Sequence, residues 1–175
     1  MAEDGQVVRA VQLVADRALA PLGLPMSPFV LLQLVGPAVA LHVAETLHSA
    51  FPDRFHVSAN LRRIVEAGKP GIYSWNDKGR PYVADDIAAM LELGDAPKDE
   101  AQVREVALRA LAQEARLMLD EGVVAAPQDL DLCMLLGAGW PFHLGGLTPY
   151  LDRTGITEAV NGGRFLPPGV ASLPV

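Results

Sequence analysis

Three side chains stand at helical spacing where a metal ion could in principle be gathered: His42, Glu45 and His48, at i, i+3 and i+6. No HExxH pattern accompanies them, no second carboxylate cluster at helical spacing supports them, and the chain has a single cysteine. A half-exposed polar helix face explains all three, so no metal site is expected. His56, beside Phe55, reads as a surface residue, and His143, in a glycine-rich loop, as a packing or hydrogen-bonding one. Cys133 lies among Leu132, Met134 and Leu135 and reads as a small buried apolar residue. No G-x-S-x-G elbow exposes a serine nucleophile. Gly137-Ala138-Gly139 runs into Trp140-Pro141, so it cannot open a pyrophosphate-binding helix. Arg54, Arg62, Arg63 and Lys69 form a local basic cluster that could meet phosphates; a solvated helix face is the plainer reading. No catalytic residue is expected.

The elements that would position such residues are mostly helices. In residues 99–121, Asp99 and Gln102 have the spacing of a capping box, and Val103, Val106, Ala107, Ala110, Leu111, Leu117 and Met118 recur near a 3.6 period. Gly122 ends that run. Further helices are expected over 7–20, 28–34, 37–50, 58–67 (Ser58 as cap), 83–93, 127–135, 147–153 and 156–160. Strand character is confined to Ile72-Tyr73-Ser74-Trp75 and Tyr82-Val83, within a Gly- and Pro-rich excursion. Residues 94–98 read as a linker, and the Pro-rich tail from Arg164 as extended and pinned by Phe165 and Leu166.

Two landmarks recur. Glu3-Asp4-Gly5 returns as Asp120-Glu121-Gly122, and Gly23-Leu24-Pro25-Met26 as Gly139-Trp140-Pro141-Phe142. Between them lie Asp16-Arg17-Ala18-Leu19 in one copy and Asp131-Leu132-Cys133-Met134 in the other, and a glycine (Gly36, Gly155) closes the next helix in each. Two copies at so long a period are tandem domains, here divided as 1–96 and 97–175. The second copy has a long helix ahead of its acidic-glycine landmark. The first has only Met1 and Ala2 there and reads as N-terminally truncated.

Pro25-Met26-Ser27-Pro28-Phe29-Val30-Leu31-Leu32-Gln33-Leu34-Val35-Gly36 resembles the loop and helix of the C-terminal domain of 3-hydroxyacyl-CoA dehydrogenases. Residues 58–68 and Gly71-Ile72-Tyr73-Ser74-Trp75 are similar to that domain's closing helix and aromatic segment. Leu136-Gly137-Ala138-Gly139-Trp140-Pro141-Phe142-His143-Leu144-Gly145-Gly146-Leu147 resembles the duplicated second domain of the multifunctional fatty-acid oxidation α-subunit.

The resemblance implies an all-α chain of two tandem helical domains forming a pseudo-dimer. It implies a share in NAD-dependent oxidation of (S)-3-hydroxyacyl-CoA in fatty-acid β-oxidation. It also implies that the NAD site and the catalytic His and Glu lie in an upstream nucleotide-binding domain. NAD then belongs to the intact enzyme, with none bound by this chain, which alone is expected to be inactive. Asn60, Asn76 and Asn161 do not match the family's catalytic asparagine. Pro25, Met26, Ser27 and Pro28 match the loop that faces the acyl-CoA substrate, where two prolines and a thioether could wall a fatty acyl chain; packing against a neighbour is the plainer role. Partners implied are the acyl-CoA, the upstream domain and, as candidates, a thiolase subunit and a second copy.

Composition sets the outer limits. The chain has 175 residues, is half apolar, and carries a net charge of −7. Its halves hold 8 basic and 11 acidic groups (1–96) and 6 and 10 (97–175), so a nucleic-acid partner is not expected. The acidic start and the interrupted apolar run 29–44 predict neither a secretory signal nor a membrane span, and a single cysteine suits the cytoplasm. Two alternatives stay open: a stand-alone helical docking or dimerisation module, and a non-catalytic acyl-CoA binder.

Overall fold

The computed structural model describes residues 14–92 and 98–170, which divide into two compact units. The first comprises residues 1–17 and 26–98, the second residues 18–25 and 99–175. The boundary expected between residues 96 and 97 lies outside the described residues, as do residues 7–13 of the first expected helix.

In the first unit, Pro28 at the first helical position opens α1 (Pro28–Val35), and Gly36, at φ 93°, ends it. Pro37 at once starts α2 (Pro37–Ala50), bent by 102° from α1. No single helix among the described residues is long and apolar enough to cross a membrane. α3 (Ala59–Glu66) is capped by the Ser58 hydroxyl, which accepts from Leu61 N at 3.3 Å.

The excursion after α3 contains a hairpin of β1 (Tyr73–Trp75) and β2 (Pro81–Val83), antiparallel in the register Tyr73↔Val83, Ser74↔Tyr82, Trp75↔Pro81. Its turn is held by the Asn76 carboxamide oxygen, which accepts from Lys78 N and Arg80 N at 3.0 Å each. Tyr73 and Val83 face inward with Ile64, Ile72, Ile87 and Ala88, and these form the core of the unit. α4 spans Asp85–Met90, shorter than the expected 83–93. Val83 is spent on the hairpin. At the far end the Asn60 side chain donates to Glu92 O (2.8 Å) and accepts from Glu92 N (2.9 Å), which draws the chain out of helical geometry.

In the second unit the capping box forms as read: Gln102 N donates to Asp99 Oδ1 (2.8 Å) and Asp99 N to Gln102 Oε1 (3.0 Å). It starts α5 (Glu100–Asp120), and Gly122 at φ 70° follows its end. Asp120, near the unfavourable end of the helix dipole, is exposed and ion-paired with Arg116 four residues back. Then follow α6 (Pro127–Gly137), a 3-10 turn at Phe142–Leu144, α7 (Leu147–Arg153) and α8 (Ile156–Asn161). The core gathers Leu22, Leu108, Ala112, Trp140, Leu147 and Leu151, with Tyr150 edge-on to Trp140 at 5.5 Å. Residues 18–25 belong here because Leu22 fills this core and Arg104 Nε donates to Ala18 O.

Cys133 is exposed, against the buried reading. α6 turns Leu130 and Met134, four residues apart, toward the unit, while Leu132, Cys133 and Leu136 point outward.

Candidate functional site

The loop at Pro25–Pro28 is fixed at both ends. Pro25 counts with the second unit and is exposed. A Cβ added to Gly139 (φ 70°) would come within 2.8 Å of its ring, and one added to Gly23 (φ 74°) would meet Pro141 at 3.6 Å and His143 at 3.4 Å. The contacts are thus reciprocal: each GxP glycine lies under the proline of the other GxP, as in a two-fold related pair.

Met26, Ser27 and Pro28 count with the first unit. Met26 is 37% exposed and Pro28 is also exposed. Ser27 stands in extended geometry before α1; its hydroxyl makes no cap bond, and its carbonyl accepts from Leu31 N at 2.9 Å. The cap comes from elsewhere. Asp16 Oδ1 accepts from Phe29 N at 3.2 Å, while its Oδ2 accepts from the Tyr73 hydroxyl at 2.7 Å. Burial and the Asp16 carboxylate push the Tyr73 phenol well above its ordinary pKa. Behind the loop the Gln33 carbonyl oxygen accepts from Ile72 N (2.8 Å) and Tyr73 N (2.9 Å). Gly71 lies so close that any Cβ there would sit 2.0 Å from the Gln33 amide nitrogen.

The second unit repeats this scaffold. Asp131 Oδ1 accepts from Thr148 N and its Oδ2 from the Thr148 hydroxyl, both at 2.7 Å, and Thr148 is the second residue of α7 as Phe29 is of α1. Asp152, three residues before Gly155 as Gln33 is before Gly36, accepts from Phe165 N and Leu166 N at 3.0 Å each. The tail is pinned at Phe165 and Leu166 as read, by this carboxylate and by stacking of Arg116 over the Phe165 ring at 5.0 Å. Sequence reasoning paired Asp16 with Asp131 but missed their capping role, and missed the Gln33 and Asp152 clamps. For the clamps the signal lay in their common distance, three residues, from the helix-closing glycines.

The other candidates disperse. Glu45 is ion-paired with Arg62 at 2.7 Å, and His48 Nδ1 is 2.7 Å from Phe55 O. No group of three His, Cys, Asp or Glu side chains among the described residues is placed to hold a metal ion. The basic cluster is neutralised piecewise, Arg62 by Glu45, Arg63 by Glu92 and Lys69 by Asp86, whose carboxyl is held below the usual range by the lysine. His143 is exposed in the middle of the 3-10 turn. Asn60 and Asn76 serve the backbone bonds described above, and Asn161 Nδ2 donates to Ala112 O at 3.1 Å. The strands of the hairpin are antiparallel, and Gly137 closes α6 where a dinucleotide fingerprint would need a strand before its glycines.

Comparison with known proteins agrees with the resemblance. The sequence profile of the 3-hydroxyacyl-CoA dehydrogenase C-terminal domain matches residues 7–75. The chain is 30% identical over 171 residues to the fatty acid oxidation complex subunit alpha of Shewanella putrefaciens, covering 87% of this chain and 24% of that protein. It is 29% identical over 161 residues to the same subunit of Acinetobacter baylyi (83% and 22%) and 28% over 155 residues to that of Idiomarina loihiensis (83% and 22%). The chain therefore spans less than a quarter of the length of these relatives. It is mostly helical, as the dehydrogenase C-terminal domain is, and its likeness to that domain and to the oxidation-complex α-subunits holds.

Proposed function

We propose that this chain is the C-terminal region of an NAD-dependent (S)-3-hydroxyacyl-CoA dehydrogenase of fatty-acid oxidation. Its part is to shape the acyl-CoA cleft, while hydride transfer belongs to a nucleotide-binding domain elsewhere in the polypeptide. The observation that carries the reading is the loop at Met26-Ser27-Pro28. Met26 and Pro28 are exposed there, yet Asp16 fixes the start of the helix behind the loop, and Gln33 fixes the strand beside that helix. A short apolar loop held this way can present the Met26 thioether and the Pro28 ring to a fatty acyl chain with little ordering entropy left to lose. On this reading NAD is held by the nucleotide-binding domain, and no step of the oxidation is assigned to the residues of this chain. NAD, when held by the other domain, would accept the hydride.

Two measurements test this. With NAD and (S)-3-hydroxybutyryl-CoA or (S)-3-hydroxyhexadecanoyl-CoA, the chain alone is expected to give no absorbance of NADH above the protein-free blank; turnover would sink the assignment. Mass mapping of the native polypeptide is expected to find peptides reaching upstream of Met1 into a nucleotide-binding domain. A native product that begins at Met1 would overturn the proposal that the catalytic half is joined to this chain.

A further inference from the structure

The hairpin of the first unit ends in a turn that takes no part in holding the Met26-Ser27-Pro28 loop. Residues 76–80 are closed by four hydrogen bonds: Asn76 N donates to Arg80 O (3.1 Å), Gly79 N donates to Asn76 O (2.8 Å), and the Asn76 carboxamide oxygen accepts from Lys78 N and Arg80 N. This fixed turn carries two exposed cations, Lys78 and Arg80. Arg62, Arg63 and Lys69 are each met by a carboxylate, whereas neither of these two side chains forms an ion pair among the described residues. Asp77 is the one acid in the turn, so the tip is net positive on a chain whose net charge is −7. Beside it stands Trp75, 53% exposed and paired across the ribbon with exposed Pro81. Side chains two apart share one face of a strand, so Trp75 lies on the face of Tyr73, about 7 Å farther along the ribbon. The Tyr73 hydroxyl reaches Asp16, and Asp16 caps the helix behind the loop.

We propose that this tip receives the nucleotide end of the acyl-CoA, an adenine carrying a 3′-phosphate and a 5′-diphosphate on its ribose. The adenine stacks on the open face of Trp75, with Pro81 at its edge, and Lys78 and Arg80 meet the phosphates. The hydrogen bonds of the turn hold both cations beside the indole before the ligand arrives, so little ordering entropy is left to lose. Charge decides the kind of ligand. An apolar partner would desolvate two cations without pairing them, whereas a polyphosphate satisfies both. The acyl chain at Met26 and Pro28 and the nucleotide at Trp75 are then the two ends of one molecule, and its flexible pantetheine arm crosses the Asp16–Tyr73 tie between them. Naming the ligand acyl-CoA rests on the dehydrogenase reading; the affinity of the tip for an adenine nucleotide does not.

Adenosine 3′,5′-bisphosphate serves as the probe, titrated into the full chain at low salt and followed by tryptophan fluorescence. Trp140, 1% exposed, is shielded from it, so quenching reports Trp75. Saturable quenching is expected, weakened tenfold or more by the double change Lys78→Glu and Arg80→Glu, and weakened also by added salt. In Trp75→Ala, followed by calorimetry, affinity should fall fivefold or more. All three positions are exposed, and circular dichroism should show the fold intact. No saturation at several millimolar probe would overturn the proposal, as would undiminished binding by the charge-reversed variant. Pyrophosphate bound as tightly as the nucleotide would reduce the tip to an anion site and overturn the adenine assignment. Preference for vesicles of phosphatidylglycerol would make the tip a membrane contact and overturn it equally. The probe carries no acyl group, so these failures leave the cleft reading standing, whereas NADH formation by the chain alone would sink that reading and leave the binding at the tip as measured.

Discussion

The two units solve one structural problem with different chemistry. Each must hold a returning extended segment against a short helix, and each uses one side chain three residues before a glycine to accept two consecutive backbone N–H groups. In the second unit that side chain is Asp152, fully buried, with Arg164 at 3.8 Å. In the first it is neutral Gln33, one clamp away from the Asp16 carboxylate that already holds Phe29 and Tyr73. A second buried carboxylate there would face a like charge, whereas an amide gives the same two acceptor bonds without desolvating an ion. The caps diverge in parallel. Thr148 satisfies both oxygens of Asp131, whereas Phe29 has no hydroxyl, so the second oxygen of Asp16 is free to hold Tyr73. The first unit thereby ties its loop, its helix and its hairpin to one carboxylate. The loops differ in length as well: two residues separate Pro25 from Pro28, where five, including a 3-10 turn, separate Pro141 from Leu147.

Removing the clamps tests this contrast most severely. Asp152→Ala strands two backbone donors, one of them buried, and leaves Arg164 without its counter-charge, so a loss of about 3 kcal/mol or more is expected. Trp140, 1% exposed, reports the transition once exposed Trp75 is replaced by Phe. A loss no larger than that of the neutral clamp would break the proposed difference between charged and uncharged solutions.

Gln33→Ala in the first unit should cost less, about 1–3 kcal/mol by denaturant titration, since only neutral hydrogen bonds are lost. Gly71→Ala should cost a similar amount, because its Cβ must evict the Gln33 side chain. The double variant should be clearly less than additive; full additivity would mean that the two residues do not act as one clamp.

The smallest expected effect is in the Asp16–Tyr73 tie. The folded-state phenol pKa is raised, so its contribution is fully present below the ordinary tyrosine value of about 10 and is lost as pH rises beyond it. Tyr73→Phe should therefore cost about 1 kcal/mol at neutral pH and flatten the alkaline fall in stability. An unchanged alkaline limb would show that Tyr73 is not the group responsible.

The helices that announced themselves locally were legible. Asp99 and Gln102 form their box, Pro28, Pro37 and Pro127 open helices, and the bounds of Pro37–Ala50 and Leu147–Arg153 are those read from the residues. Misreadings arose where distant partners intervene. Asn60 halts α4 through Glu92, 32 residues away, and the packing of α6, not its composition, decides that Cys133 faces out.

The sequence by itself determined the helical class, the duplication, the family likeness and the position of the Pro25–Pro28 loop, because capping, periodicity and repeated landmarks are written in neighbouring residues. Tertiary structure alone decided which unit owns residues 18–25, that Gly139 lies under Pro25, and that Asp16, Gln33 and Tyr73 hold one scaffold. Those outcomes depend on side chains meeting across 40 to 57 residues of chain and, at Gly139, on a proline from the other copy. No local pattern encodes such meetings; only the packed core brings the groups within hydrogen-bonding reach.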